Sequence, residues 1–106
     1  MAKYLARANY LAKGVEGLLK EGGSRRRDAA QKAAESVGGN IDVFYYAFGA
    51  DDVIGIGDFP DAASAAAFSL MINASGTVSI SLTPLMTPED IDAASKKNPA
   101  YRAPGQ

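Results

Sequence analysis

Polar and apolar positions alternate most cleanly in GTVSISLTPL, where Val78, Ile80 and Leu82 share one face and Thr77, Ser79, Ser81 and Thr83 the other. A period of two with one apolar side predicts a half-buried strand. KYLARANY, residues 3–10, with a tyrosine at each end, reads as a first strand. NIDVFYYAF and DVIGIGDF are rich in Val, Ile and aromatics and are joined across Gly49, Ala50 and Asp51, the composition and spacing of a hairpin. That turn explains the acidic loop between two apolar runs, and it predicts a conformation at Gly49 that a β-carbon would disfavour.

Helical periods fill the intervals. LAKGVEGLLKE places Leu11, Val15, Leu18 and Leu19 near one face, and Gly14 and Gly17 predict a short or broken helix there. After Gly22 and Gly23, Ser24 is the expected cap of RRRDAAQKAAESV. Its apolar stripe is Ala29, Ala30, Ala33, Ala34 and Val37, and Gly38-Gly39 follows as the stop. DAASAAAFSLMINAS is a further helix, capped by Asp58 or Asp61, and Thr87-Pro88 starts a last helical turn. The order strand, helix, strand, strand, helix, strand predicts an α+β ferredoxin-like βαββαβ sandwich, with an antiparallel sheet and both helices on one face. The other face lacks a cover, which predicts a homodimer or higher homo-oligomer. The domain spans residues 1–95, and residues 96–106 form an irregular tail.

Composition narrows the chemistry. With 106 residues there is one domain and little room for a deep pocket in one copy. Cysteine, histidine and tryptophan are absent. This excludes disulfides, Cys/His metal sites, and nucleophilic triads that depend on histidine. No metal or cofactor is called for. The basic N-terminus is no signal peptide, and no apolar run approaches the ~18 residues of a membrane span. A cytoplasmic protein with no membrane partner is expected. Charge is lopsided: residues 1–37 carry eight Lys/Arg against four Asp/Glu, and residues 38–95 carry eight acids and no base. Such halves can complement a second copy of the chain or be separately solvated.

With the hairpin placed, GVEGLLKEGGSRR and SVGGNIDVFYYAFGADDVIGIGDFPDAASAAAFSLMINASGTVSISLTPLMTPEDID resemble the GYD-domain family of small bacterial and archaeal proteins. The resemblance runs from about Tyr4 to Ala94. Gly49 and Asp52 match the glycine and aspartate of the signature, and Asp51 stands at its tyrosine position. The resemblance implies a dimeric α/β barrel, in which two sheets pack face to face. It carries over no catalytic residue.

The candidate site residues follow from strand parity. Arg7 and Asn9, Gly55 and Gly57, and Ser79 and Ser81 are the polar or minimal members of their strands. Set on the uncovered face, they predict a hollow, polar middle between apolar rims, where a small ligand or only water would sit. Tyr45 or Tyr46 could supply a hydroxyl to that ligand. Asp51-Asp52 lacks calcium-loop spacing and reads as a solvated turn. Arg25, Arg26 and Arg27 oppose the dipole at a helix start, which points to an anion or to an acidic segment of the same or a neighbouring chain. Nucleic acid is disfavoured, because the central strand VIGIGDF offers glycines where stacking aromatics would be needed. Three functions remain open. The first is a small-ligand-binding or assembly module. The second is a cofactor-free enzyme of oxygenase or isomerase type, using Tyr, Asp or Arg between sheet and helices. The third is a purely structural assembly subunit.

Overall fold

The computed structural model describes residues 1–106. Its elements are β1 (Ala2–Tyr10), α1 (Ala12–Glu21), α2 (Gly23–Glu35), β2 (Asn40–Tyr46), β3 (Val53–Phe59), α3 (Ala62–Ala74), β4 (Val78–Pro84) and α4 (Pro88–Ser95). The four strands form one antiparallel sheet in the order β2-β3-β1-β4. This α+β arrangement is consistent with the ferredoxin-like fold. Helix α2 packs on β2 and α3 on β4, so the two helices lie over the sheet margins.

The core gathers at one end of the sheet. Phe59 is 3% exposed and meets Tyr4 edge-on, with ring centres 5.7 Å apart, and Phe68 at 5.2 Å. Ala34 and Ala65 complete the buried cluster, and Ile41, Ile72, Ile80 and Leu82 pack around it. Ala8, Val53, Phe59, Val78, Ile80 and Leu82 all face the helices, as the alternation of β4 predicts.

Both edge strands are held by an amide side chain from the helix above. Asn73 of α3 accepts from the Ile80 N–H at 2.8 Å and donates to the Ile80 carbonyl at 3.2 Å. Gln31 of α2 accepts from the Ile41 N–H at 2.8 Å and donates to Asn40. Main-chain groups that an added strand would need are thus already used at the middle of β4 and the start of β2.

Two local expectations, at Ser24 and Gly49, are corrected. Of the short or broken helix expected at α1, the structure shows the short one, unbroken over 10 residues. Gly14 is buried there because a β-carbon would strike the Thr77 carbonyl, the same oxygen that accepts the Leu11 N–H at 2.9 Å. Ser24 is not the cap of α2. The cap position is Gly22, at φ +83°, which also closes α1, and Ser24 lies inside the first turn. Gly49 does not adopt a positive φ and has open space around the position of a β-carbon. The longer connection, residues 47–52, makes the reversal without a left-handed residue. It is fastened instead by Asp52, whose carboxylate accepts the Tyr10 N–H at 2.9 Å and whose own N–H donates to the Ala8 carbonyl.

Of the two candidate caps for α3, Asp61 serves, accepting the Ser64 N–H at 2.7 Å. Helix α4 has a full capping box between Thr87 and Asp90, with Pro88 in the first turn. It nevertheless contributes no buried residue. Because α4 and the irregular residues after it project from the sheet, the radius of gyration is 17.0 Å, against about 13 Å for a compact chain of this length.

Two measurements test this account. Gly14→Ala improves helix propensity yet should lower stability by about 1–3 kcal/mol in denaturant unfolding, through overpacking against Thr77; an equal or higher stability would show that α1 is not seated there. The backbone and side-chain hydrogen bonds from Ser64 hold the Asp61 carboxyl below its ordinary 3.8, against a smaller opposing effect of burial. Its contribution is therefore present above that value and lost as pH falls through the depressed one. Asn caps as well as Asp but does not titrate, so the melting temperature of Asp61→Asn should fall less than that of the parent below about pH 4.

Candidate functional site

The sheet presents two different faces. On the uncovered face the register aligns Val43, Ile56, Leu5 and Thr83 in one row across the strands. Tyr45, Ile54, Arg7 and Ser81 form the next row, and Asn9 pairs with Ser79 beyond it. The face is thus apolar along β2 and β3 and polar along β1 and β4. Arg7 approaches Asp51 at 4.0 Å, and Asn9 donates to the same carboxylate at 3.4 Å. At the opposite end Lys3 bridges Asp42 and Asp58 at 2.8 and 2.9 Å. These bonds raise the Lys3 pKa, and Lys3 in turn lowers that of Asp42. The groups are solvated, so the cluster joins three strands without contributing much stability.

Five of the six predicted pocket residues share this face: Arg7, Asn9, Tyr45, Ser79 and Ser81. Tyr46 has the opposite parity, and its hydroxyl donates to the Gly23 carbonyl at 2.9 Å, tying β2 to the start of α2. Gly55 and Gly57 do not lie among the outward residues, as expected from sequence. They are buried on the helix side with Val53 and Phe59, while Ile54 and Ile56 point outward. The run VIGIGDF carries Ile54 and Ile56 at one parity and Val53 and Phe59 at the other, and the large ring of Phe59, with Asp58 on the opposite side, decides which side is covered.

The hollow is therefore under the helices. A cavity of ≈ 140 Å³ lies between the sheet and α2 and α3, and 17 of its 20 lining residues are hydrophobic. Ala6, Ala8 and Gly55 form its floor, and Ala29, Ala30 and Ala33 of α2 form one wall. Phe68 and Ile72 of α3 form the other. It is partly open to solvent past the exposed Ala29 and Ala33. None of the six residues named from sequence lines it, and the alanines that do were read only as a packing stripe. Their signal was legible in small residues recurring on facing elements, Ala6 and Ala8 below and Ala29, Ala30 and Ala33 above.

Arg26 is the one charged residue lining this cavity. Its Nη1 lies 3.3 Å from Glu21. Arg27 pairs only with the adjacent Asp28, at 3.4 Å. The five aspartates 42, 51, 52, 58 and 61 are engaged with Lys3, Asn9, Tyr10 and Ser64, so none meets the arginines within the chain. Near Arg26, burial and the adjacent Tyr10 phenol push the Tyr46 phenol up to about 12, against the pull of Arg26 and Arg27. It remains protonated at neutral pH and acts as a hydrogen-bond donor.

Tyr46→Phe should therefore remove a tyrosinate absorbance step near pH 12 and destabilise the fold by about 1 kcal/mol through loss of the bond to Gly23. A Tyr46 step near pH 10 would show the phenol to be solvated.

A family model described as the GYD domain matches residues 4–95. No curated protein and no solved structure gives a significant match. The matched span runs from β1 through α4, and the chain belongs to the GYD-domain family.

Proposed function

We propose that this chain is a homo-oligomeric small-ligand-binding module, in which copies stack through their uncovered sheet faces and each holds a ligand between sheet and helices. The observation that carries the reading is the cavity floored by Ala6, Ala8 and Gly55. Two helices stand over it without filling it, whereas a purely structural layer would pack to native density. No carboxylate lines it, and the nearby Tyr46 phenol is held protonated, so binding is favoured over acid–base catalysis.

Self-association is supported by how little one copy buries. Ten of 106 residues are buried, and no large side chain is fully enclosed. Ile54 is 39% and Tyr45 70% exposed on the uncovered face. The amide clamps on β2 and β4 disfavour edge-to-edge growth, which leaves that face as the surface for a self-complementary contact.

Light scattering at micromolar concentration should give a mass at least twice the 11.0 kDa of one chain. Ile54→Lys should shift the species toward monomer, while Leu19→Lys, at an exposed position on α1, should not. A parent that is only monomeric would overturn the assembly. Untargeted mass spectrometry of the parent should find a co-purifying small molecule that the cavity-filling variant Ala30→Leu lacks, and identical profiles would count against the binding role.

A further inference from the structure

We infer that the cavity takes a small carboxylate whose apolar body is one ring or a short chain, with the carboxylate at the mouth on Arg26. The inference rests on the ligand-binding reading above and adds the chemical class. Size comes first. At ≈ 140 Å³ the space is close to that of an engineered apolar cavity of ~150 Å³ that accepts benzene. A single ring fits, and a fused polycyclic body does not.

Polarity sets the rest. A wholly apolar ligand would be served by a wholly apolar lining, but here a guanidinium stands among Ala29, Ala30 and Phe44 at the start of α2. Its ion pair with Glu21 uses only Nη1, at 3.3 Å, so most of the planar donor fork remains for a carboxylate. Its surroundings favour negative charge. Arg25 and Arg27 flank it in sequence, no acid occupies the first turn of α2, and the exposed amides of that turn add positive potential. Tyr10 lines the same cavity and supplies a phenol as a second possible donor. The opposite end is closed by the packed rings of Tyr4, Phe59 and Phe68, which suits the apolar end of the ligand. Arg26, which costs helix stability where it stands, thereby has a use that no aspartate of the chain supplies.

The test uses benzoate, with benzyl alcohol as a neutral analogue of the same ring, titrated against the full-length protein by ligand-observed NMR. Benzoate should bind about tenfold more tightly than benzyl alcohol, the increment of one charge-assisted hydrogen bond. Arg26→Gln should abolish that preference, weakening benzoate far more than benzyl alcohol so that the two bind with similar affinity. Ala30→Leu should lose both ligands, and Ala33→Leu provides a second filled cavity should the first variant fold poorly. Equal affinities in the parent, or a preference that survives Arg26→Gln, would overturn the carboxylate assignment while the cavity stands. Failure of both ligands to bind the parent, or their undiminished binding to the filled variants, would overturn the cavity reading itself.

Discussion

Everything in this domain depends on which side of the sheet Phe59 occupies. β3 is hydrogen-bonded on both flanks, to β1 and to β2, so its parity propagates across the sheet. The Phe59 ring between Tyr4 and Phe68 holds that parity in one state. Gly55 and Gly57 then face the helices and Ile54 and Ile56 face outward. One aromatic contact thus sets both faces, a hollow on the covered side and outward isoleucines on the other.

The hollow persists because the helices are held apart from one another. Gln31 and Asn73 fasten α2 and α3 to opposite edge strands, and Tyr46 fixes the start of α2 to β2. Between them lie β1 and β3, whose inward residues at mid-strand, Ala6, Ala8, Gly55 and Gly57, are alanine and glycine. A helix drawn toward the middle would fill that gap at the expense of its edge clamp. The same bonds occupy main-chain groups at the edges, which disfavours the addition of a further strand there. The cavity and the uncovered face therefore lie on opposite sides of one sheet, separated by a single layer of backbone.

The polar groups are arranged around this frame. The aspartates of the acidic half are consumed locally: Asp52 fastens the hairpin to β1, Asp61 caps α3, and Asp42 and Asp58 share Lys3. The arginines of α2 have only close sequence neighbours, Glu21 and Asp28. Charge asymmetry along the chain becomes a difference of occupation: these aspartates are engaged in the fold, while Arg26 stands at the cavity.

The sequence by itself determined the order of the strands, the inward face of β4, the Thr87 cap and the lack of chemistry based on histidine or cysteine, and it narrowed the α3 cap to Asp58 or Asp61. These follow from local periodicity and residue inventory, which need no knowledge of distant partners. The resemblance over nearly the whole chain was also enough to identify the family, with Asp51 at the signature's tyrosine position. Only the tertiary structure decided the parity of β3, since the large aliphatic Ile54 and Ile56 oppose Val53 and Phe59, and the deciding contact, Phe59 with Tyr4 and Phe68, involves residues outside the strand. Likewise Gly14 reads as a helix breaker until Thr77 is seen against it, and Ala29, Ala30 and Ala33 read as packing until the gap beneath them is seen. A cavity is a relation among elements, set by where the edge clamps hold α2 and α3, and no single segment of the chain encodes it.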